Sequence, residues 1–170
     1  MKNAERMHID DIKALAKKAH ENAAFRNRLL SAMLDAGDDA VTSAWALTHL
    51  PPSDPPQLAT RRHELISLAV TTPNTSLRRL ALTLLERMAW EEEDVDTALL
   101  DFSLRHLAMD DETAGVRSLC GKLAFHQCRH YPELLEELRQ SLLMLRPTPM
   151  SQGVRHTINS ILNKIPHSTK

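Results

Sequence analysis

Four ten-residue segments of this chain align with one another without gaps. They are VTSAWALTHL from Val41, LRRLALTLLE from Leu77, VRSLCGKLAF from Val116 and VRHTINSILN from Val154. Their starting points are 36, 39 and 38 residues apart. A short turn of small or polar residues precedes each segment, and an amphipathic helical pattern precedes each turn. Because one helix pair cannot bury its own apolar stripe, a pair repeated at this period predicts stacked neighbours that share a continuous core.

Helical periodicity extends along nearly the whole chain. Apolar residues at helical spacing are Leu77, Leu80, Ala81, Leu84, Leu85 and Met88 in one segment, and Val116, Leu119, Cys120, Leu123 and Ala124 in another. Prolines fall between the periodic segments, and nine helices fit the pattern. The fourth helix is predicted to begin near Asp54, since Asp54 and Gln57 resemble a capping box with Pro56 in the first turn.

The start of each repeated helix resembles the second helix of HEAT-type repeats. The matching apolar-Arg pairs are Leu77-Arg78, Val116-Arg117 and Val154-Arg155, and the candidate turn residues are Asp39, Asn74 and Asp111. The first repeat departs from the pattern, with Thr42 at the arginine position and Trp45 at a position that is normally small. The resemblance implies an all-α fold, an α-α superhelix (a HEAT-like solenoid) whose second helices line a concave face that holds partners.

A length of 170 residues fits a single domain. We therefore expect one HEAT-like repeat domain over residues 1–170, made of about four helix pairs and an N-terminal capping helix. The capping helix is expected within residues 1–22, the repeats within 23–165 and a tail at 166–170. The segment DDIKALAKKAHE, on the first helix, has the polar face of a solvated end.

The repeats place one arginine at the same position in three successive second helices. We call Arg78, Arg117 and Arg155 the arginine row; Arg79, Lys122 and His156 lie close by on the same helices. As a basic stripe, these six residues are candidates for binding an acidic peptide or phosphate groups of a partner. The HEAT resemblance implies another role for the row, in which each arginine bonds turn residues and acts as a structural brace. The brace is the favoured interpretation, and partner binding is the alternative.

The stretch LAFHQCRHYPE looks at first like a metal site, because His126, Cys128 and His130 fall within five residues. On a helix His126 and His130 share a face while Cys128 faces away, and Pro132 favours a turn at His130. We therefore predict no metal site, and a buried Cys128. Cys120 and Cys128 lie about 12 Å apart along a helix, which excludes a disulfide between them.

Two smaller features have ordinary interpretations and one alternative each. The run WEEEDVD, from Trp90 to Asp96, is predicted to be a solvated loop with carboxylates at the start of the next helix; the alternative is a docking site for a basic partner. Trp45 is predicted to face the core, and the alternative is a role in stacking on a ligand.

No catalytic motif is present: the chain lacks a Gly-rich phosphate loop, HExxH, CxxC and GxSxG. The formal net charge of −1 gives no global attraction to nucleic acid or to an anionic membrane. No apolar run suits a signal peptide or a membrane span, so we expect a cytoplasmic protein.

These observations predict a protein that is not an enzyme and needs no cofactor. Its expected function is protein-protein interaction or scaffolding through the concave face of the repeats, and an acidic protein is one candidate partner. The alternative is a DNA-binding protein related to the HEAT-like DNA glycosylases that remove alkylated bases.

Overall fold

The computed structural model of the chain describes residues 7–54 and 58–167. Within these ranges it has nine α-helices, two short 3-10 helices and no strand, which confirms the all-α prediction. The α-helices are α1 Ile9–Glu21, α2 Ala23–Leu34, α3 Ala40–Thr48, α4 Arg62–Thr71, α5 Thr75–Glu86, α6 Thr97–Ala108, α7 Ala114–Cys128, α8 Pro132–Leu145 and α9 Gln152–Lys164. The 3-10 helices are Ala59–Arg61 and Glu92–Asp94. Of the capping box predicted at Asp54, the partner Gln57 lies outside the described residues.

Five of the helices begin with the same local structure. In each, a side-chain oxygen at the residue before the helix accepts a hydrogen bond from the backbone N–H three positions later. These capping residues are Asn22 for α2, Asn74 for α5, Asp96 for α6, Thr113 for α7 and Ser151 for α9, with donor-acceptor distances of 2.9, 3.0, 2.9, 3.4 and 3.3 Å. The predicted turn residue Asn74 is therefore a cap, and the predicted turn residue Asp111 lies in the turn before α7, two residues before the cap Thr113.

The chain divides into two compact units, residues 1–88 and 89–170. In the first unit α3 packs against α1, α2 and α5, and α4 packs against α5. In the second unit α7 packs against α6, α8 and α9. The helices thus pair in the predicted order, α2 with α3, α4 with α5, α6 with α7 and α8 with α9. The assignment of residues 1–170 to one domain stays a prediction.

The apolar rows of the second helices form the core of each unit. All six residues of the α5 row, from Leu77 to Met88, are buried. The α7 row is buried at four positions and Leu119 is half-buried, so this residue lies at the border of the core. Cys120 and Cys128 are both buried and free, as predicted.

The Trp45 side chain is half-buried, and its ring lies 6.4 Å from the ring of His49. A core-facing Trp45 stays a prediction. The buried residues Ala40, Ser43, Ala44 and Leu47 match Leu77, Leu80, Ala81 and Leu84 at an offset of 37 residues, so the first repeat begins one residue earlier than the alignment at 36 residues predicts.

The turn after α2 contains a non-glycine residue with a positive φ. The helix ends at Leu34, and Ala36 has a φ of 53°. An alanine in the left-handed region is conformationally strained, so the turn into α3 is fixed by the surrounding structure and not by a glycine.

Candidate functional site

The arginine row binds backbone carbonyl groups of the preceding helix. Arg78, at the fourth position of α5, donates from Nε to the carbonyl oxygen of Ala69 at 3.2 Å and from Nη2 to that of Thr72 at 2.6 Å. These carbonyl groups lie at the end of α4, where the last carbonyls of a helix lack partners within the helix. Arg78 therefore holds the end of α4 against the start of α5.

Arg117 and Arg155 repeat this geometry in the second unit. Arg117 Nε donates to the carbonyl oxygen of Leu107 at 2.9 Å, near the end of α6. Arg155 donates to the carbonyl oxygens of Arg146 at 2.9 Å and Thr148 at 3.4 Å, just after α8. Arg117 is the most enclosed of the row, with 4% of its surface exposed, and its Nη2 atom has no hydrogen-bond partner among the described residues.

A fourth arginine with the same contact was missed in the sequence. Arg26, buried at the fourth position of α2, donates from Nη1 to the carbonyl oxygen of Ala19 in α1 at 3.0 Å. We call these four residues the arginine brace: Arg26, Arg78, Arg117 and Arg155. The signal that identifies Arg26 is the shared pattern of cap, two residues, apolar residue and arginine, in NAAFR, NTSLR, TAGVR and SQGVR.

The hydrogen bonds of the row are those that the brace interpretation requires. Each guanidinium group of the row donates hydrogen bonds to backbone carbonyl groups, and Arg117 is also buried. These groups therefore have less freedom to contact a partner. The other three predicted residues, Arg79 on α5, Lys122 on α7 and His156 on α9, are exposed. A partner-binding role for any of the six stays a prediction.

Two further basic residues, each just after a second helix, form hydrogen bonds with backbone carbonyl groups that lie the same number of residues earlier in the chain. Arg87, after α5, bonds the carbonyl oxygen of Thr48, and Arg129, after α7, donates from Nη2 to that of Trp90 at 3.0 Å. Both bonds span 39 residues, which is about one repeat. Tyr131 donates to the carbonyl oxygen of Glu92 at 2.9 Å over the same interval.

The two histidines near Cys128 lie in different surroundings. His130 lies in the turn after α7, as predicted, and its Nε2 is 2.8 Å from the carbonyl oxygen of Trp90. His126 lies on the helix, with its ring tilted against that of Phe125. Burial, with a smaller contribution from the nearby carboxylate of Glu137, raises the pKa of Cys128 to about 11, so its thiol stays protonated at neutral pH. In the part of the chain that the structure describes, no cluster of three His, Cys, Asp or Glu residues is placed to hold a metal ion.

The outer sides of α7 and α9 form a mixed basic and apolar surface. We call it the α7–α9 face, and its members are Leu119, Lys122, Phe125, His126, His156 and Lys164. Lys122, His156 and Lys164 are exposed, whereas the other three are half-buried. Lys164 Nζ lies 5.9 Å from the centre of the Phe125 ring, so the two helices present these groups side by side. Neither α7 nor α9 contains an Asp or a Glu.

Gly121 lies where α7 packs against α9 and α6. A Cβ atom added at Gly121 would lie 3.4 Å from Ile161 Cδ1 and 3.5 Å from both Leu107 Cδ1 and Thr157 Cγ2. These are ordinary contact distances, so the packing at this point leaves room for a methyl group.

The acidic run Glu91 to Asp96 has the predicted position before a helix. Asp96 caps α6 by accepting a hydrogen bond from the backbone N–H of Leu99 at 2.9 Å. Asp94 accepts one from the backbone N–H of Glu91 at 2.8 Å, within the 3-10 helix, and the side chains of Glu91 to Glu93 are exposed. Docking of a basic partner at this run stays a prediction.

Comparison with protein families identifies the fold. The family model described as a HEAT repeat domain matches residues 2–165, nearly the whole chain. The chain belongs to the HEAT repeat family. No curated protein and no solved structure gives a significant match. The arginine brace and the contacts that span 39 residues are thus features of a HEAT repeat protein. Among the described helices, none is long and apolar enough to cross a membrane.

Proposed function

We propose that this HEAT repeat protein is a non-enzymatic protein-interaction module and that the α7–α9 face contacts an acidic partner protein. Lys122 and His156 are the predicted site residues that this proposal retains as direct contacts in the second unit. Phe125, whose ring lies 5.9 Å from Lys164 Nζ, is the apolar anchor. Arg117 and Arg155 act as braces that fix the helix ends.

The chemistry of the face supports an acidic partner. Because α7 and α9 carry basic residues and no carboxylate, an approaching acidic segment meets no like charge on either helix. A half-exposed Phe125 with Lys164 Nζ near its ring supplies an apolar contact beside the charges. Aromatic residues in such positions are common energetic centres of protein interfaces. The approach of Lys164 Nζ to within 5.9 Å of the Phe125 ring, which lies three residues after the exposed Lys122 on α7, is the observation that carries the proposal.

The absence of a recognisable catalytic arrangement in the sequence is consistent with a binding role. A cytoplasmic location is part of the proposal. Arg79, on α5 of the first unit, is exposed and is a candidate for a separate contact.

The test compares matched charge reversals in the second unit. Lys122→Glu changes the α7–α9 face, and Arg105→Glu makes the same charge change at an exposed position of α6, outside this face. Wild type and both variants are used to capture partners from the source cell, and the captured proteins are compared quantitatively. Circular dichroism and thermal melting establish that all three proteins are folded alike.

We expect a set of acidic proteins that wild type and Arg105→Glu retain and that Lys122→Glu loses at least tenfold. Phe125→Ala should weaken capture of the same proteins, and salt should weaken capture by wild type, since exposed charges are screened. Identical capture by the two charge variants would contradict the proposal. Binding of duplex DNA tighter than ~10 μM at physiological salt, lost in Lys122→Glu, would instead support the DNA-binding alternative.

A further inference from the structure

A groove in the first unit brings together basic side chains from α1 and from the end of α3. It has a volume of about 370 Å³ and is lined by Lys13, Ala16, Lys17, His20, His49 and Pro51. Lys13, Lys17 and His20 stand at helical spacing of four and then three residues, so α1 turns all three to the same side. His49 approaches from the other wall, just after α3.

The described residues that line the groove are basic or apolar. No Asp or Glu is among them, and within the described chain neither Lys13 nor Lys17 takes part in an ion pair. Asp54, which does not line the groove, pairs with His20. Ala16, which is buried, and Pro51 provide an apolar floor. The groove therefore places several basic side chains beside an apolar surface. This combination favours binding of an anionic ligand.

A buried carboxylate orients one of the basic groups. His20 Nδ1 lies 2.7 Å from Asp54 Oδ2, and the Asp54 side chain is 4% exposed. Asp54 also accepts a hydrogen bond from the Ser53 hydroxyl at 3.2 Å. The contact with Asp54 fixes the orientation of the ring and leaves Nε2, on the far side of the ring, for a ligand.

We propose that this groove binds a phosphate monoester group. Lysine ammonium groups act as point donors, and a phosphate monoester offers three terminal oxygens in different directions, so Lys13, Lys17 and His20 can each bind a different oxygen. A planar carboxylate is instead matched best by the two-pronged fork of arginine, and no arginine lines the groove. The volume lies at the lower end of small-ligand sites, which leaves room for the phosphate and a few attached atoms.

The phosphate can belong to a small metabolite or to a phosphorylated side chain of a partner protein. Both sources present the same dianion to the groove. The inference does not depend on the proposed function, because the α7–α9 face belongs to the other unit and shares no residue with the groove.

The test is a titration followed by NMR of the imidazole rings in the uniformly labelled full chain. Inorganic phosphate is added at constant pH, with sodium chloride adjusted to keep the ionic strength constant. We expect the ring signals of His20 and His49 to shift and saturate, while those of His63 and His106, which lie outside the groove and outside the α7–α9 face, stay in place. Acetate at equal concentration should produce shifts several-fold smaller.

Two neighbouring lysines of α1 provide a matched pair of variants. Lys17→Glu should weaken phosphate binding at least tenfold. Lys18→Glu makes the same charge change one residue away, where Nζ lies 4.4 Å from the centre of the Phe25 ring and outside the groove, and should weaken binding less than twofold. A glycerol phosphate arm and a phosphoserine peptide arm then identify the source, since the true source binds more tightly than inorganic phosphate.

Three results would overturn the inference. One is the absence of saturable shifts at His20 and His49 in every phosphate arm. Another is equal weakening by the Lys17 and Lys18 variants, which would show general attraction to a basic surface. The third is duplex DNA shifting the same signals at lower concentration than any monoester, which would assign the groove to nucleic acid.

Discussion

Replacing Arg117 with alanine tests the arginine brace where it is most enclosed. The variant loses the hydrogen bond from Nε to the Leu107 carbonyl oxygen, at 2.9 Å, and leaves that carbonyl group without the donor. A hydrogen bond to a charged group contributes about 1.5–3 kcal/mol. The truncation also removes the aliphatic stem from a position that is only 4% exposed.

An opposing effect reduces the net cost. Arg117 Nη2 is buried without a hydrogen-bond partner among the described residues, and an unsatisfied buried group costs about 1–3 kcal/mol. The alanine variant relieves that cost. We therefore expect Arg117→Ala to lower the free energy of unfolding by about 1–2 kcal/mol. Arg117→Met, which keeps a stem of similar length and removes the buried charge, should cost less than Arg117→Ala, because apolar replacement of a buried charge is often nearly neutral.

The assay is urea unfolding of the full chain followed by circular dichroism, at low and at high salt. Arg105→Ala, at an exposed position of α6, is the control and should change stability by less than about 0.5 kcal/mol. The loss in Arg117→Ala should be nearly the same at both salt concentrations, since a buried contact is weakly screened. A stability of Arg117→Ala within about 0.5 kcal/mol of wild type would refute the brace.

Three further predictions concern the helix packing of the two units. Gly121→Ala should stabilise the protein by about 0.5–1 kcal/mol in urea unfolding, because the added methyl group meets its neighbours at 3.4–3.5 Å and alanine favours helix; a loss of stability would show that α9 cannot accommodate it. Leu84→Ala should cost about 2–5 kcal/mol and Leu119→Ala less than half as much, since Leu84 is fully buried and Leu119 half-exposed; equal costs in the same assay would contradict this difference. The Cys128 thiol, with its pKa raised to about 11, should react with a disulfide reagent at pH 8 far more slowly in the folded chain than in urea. The free energy of unfolding should fall as pH rises from about 9 to 11, because the thiol of the unfolded chain loses its proton first. Fast labelling of Cys128 in the folded chain would argue against its burial.

The later repeats were predictable because several signals agree at each one. In α5, α7 and α9 a capping residue, an apolar residue and an arginine recur at fixed spacing, so the helix start and the buried face are both determined by the sequence. The first repeat lacks that agreement. Its second helix, AVTSAWALT, is rich in small residues that are compatible with either face, so the apolar pattern did not determine the alignment of this repeat to within one residue.

The contacts of the arginine brace and of the basic groove could not be predicted from the sequence and became visible only in the structure. Arg26 escaped notice because it stands on the first helix of a pair, outside the 38-residue period of the second helices. The acceptors of the brace are backbone carbonyl groups, which leave no trace in side-chain patterns. In the groove, His49 lies 29 residues after His20, and only the packing of α3 against α1 brings the two histidines to one site.

The bonds made by the arginine brace are all short in sequence, and this has a consequence for the order in which the chain folds during synthesis. They join residues 6 to 10 positions apart, so each can form as soon as one helical hairpin has left the ribosome. The bonds of Arg87 and Arg129 span 39 residues and need the next hairpin as well. A growing chain can therefore fix the angle of each hairpin first and add it to its neighbour afterwards, so that assembly proceeds from the N-terminus in steps of one repeat.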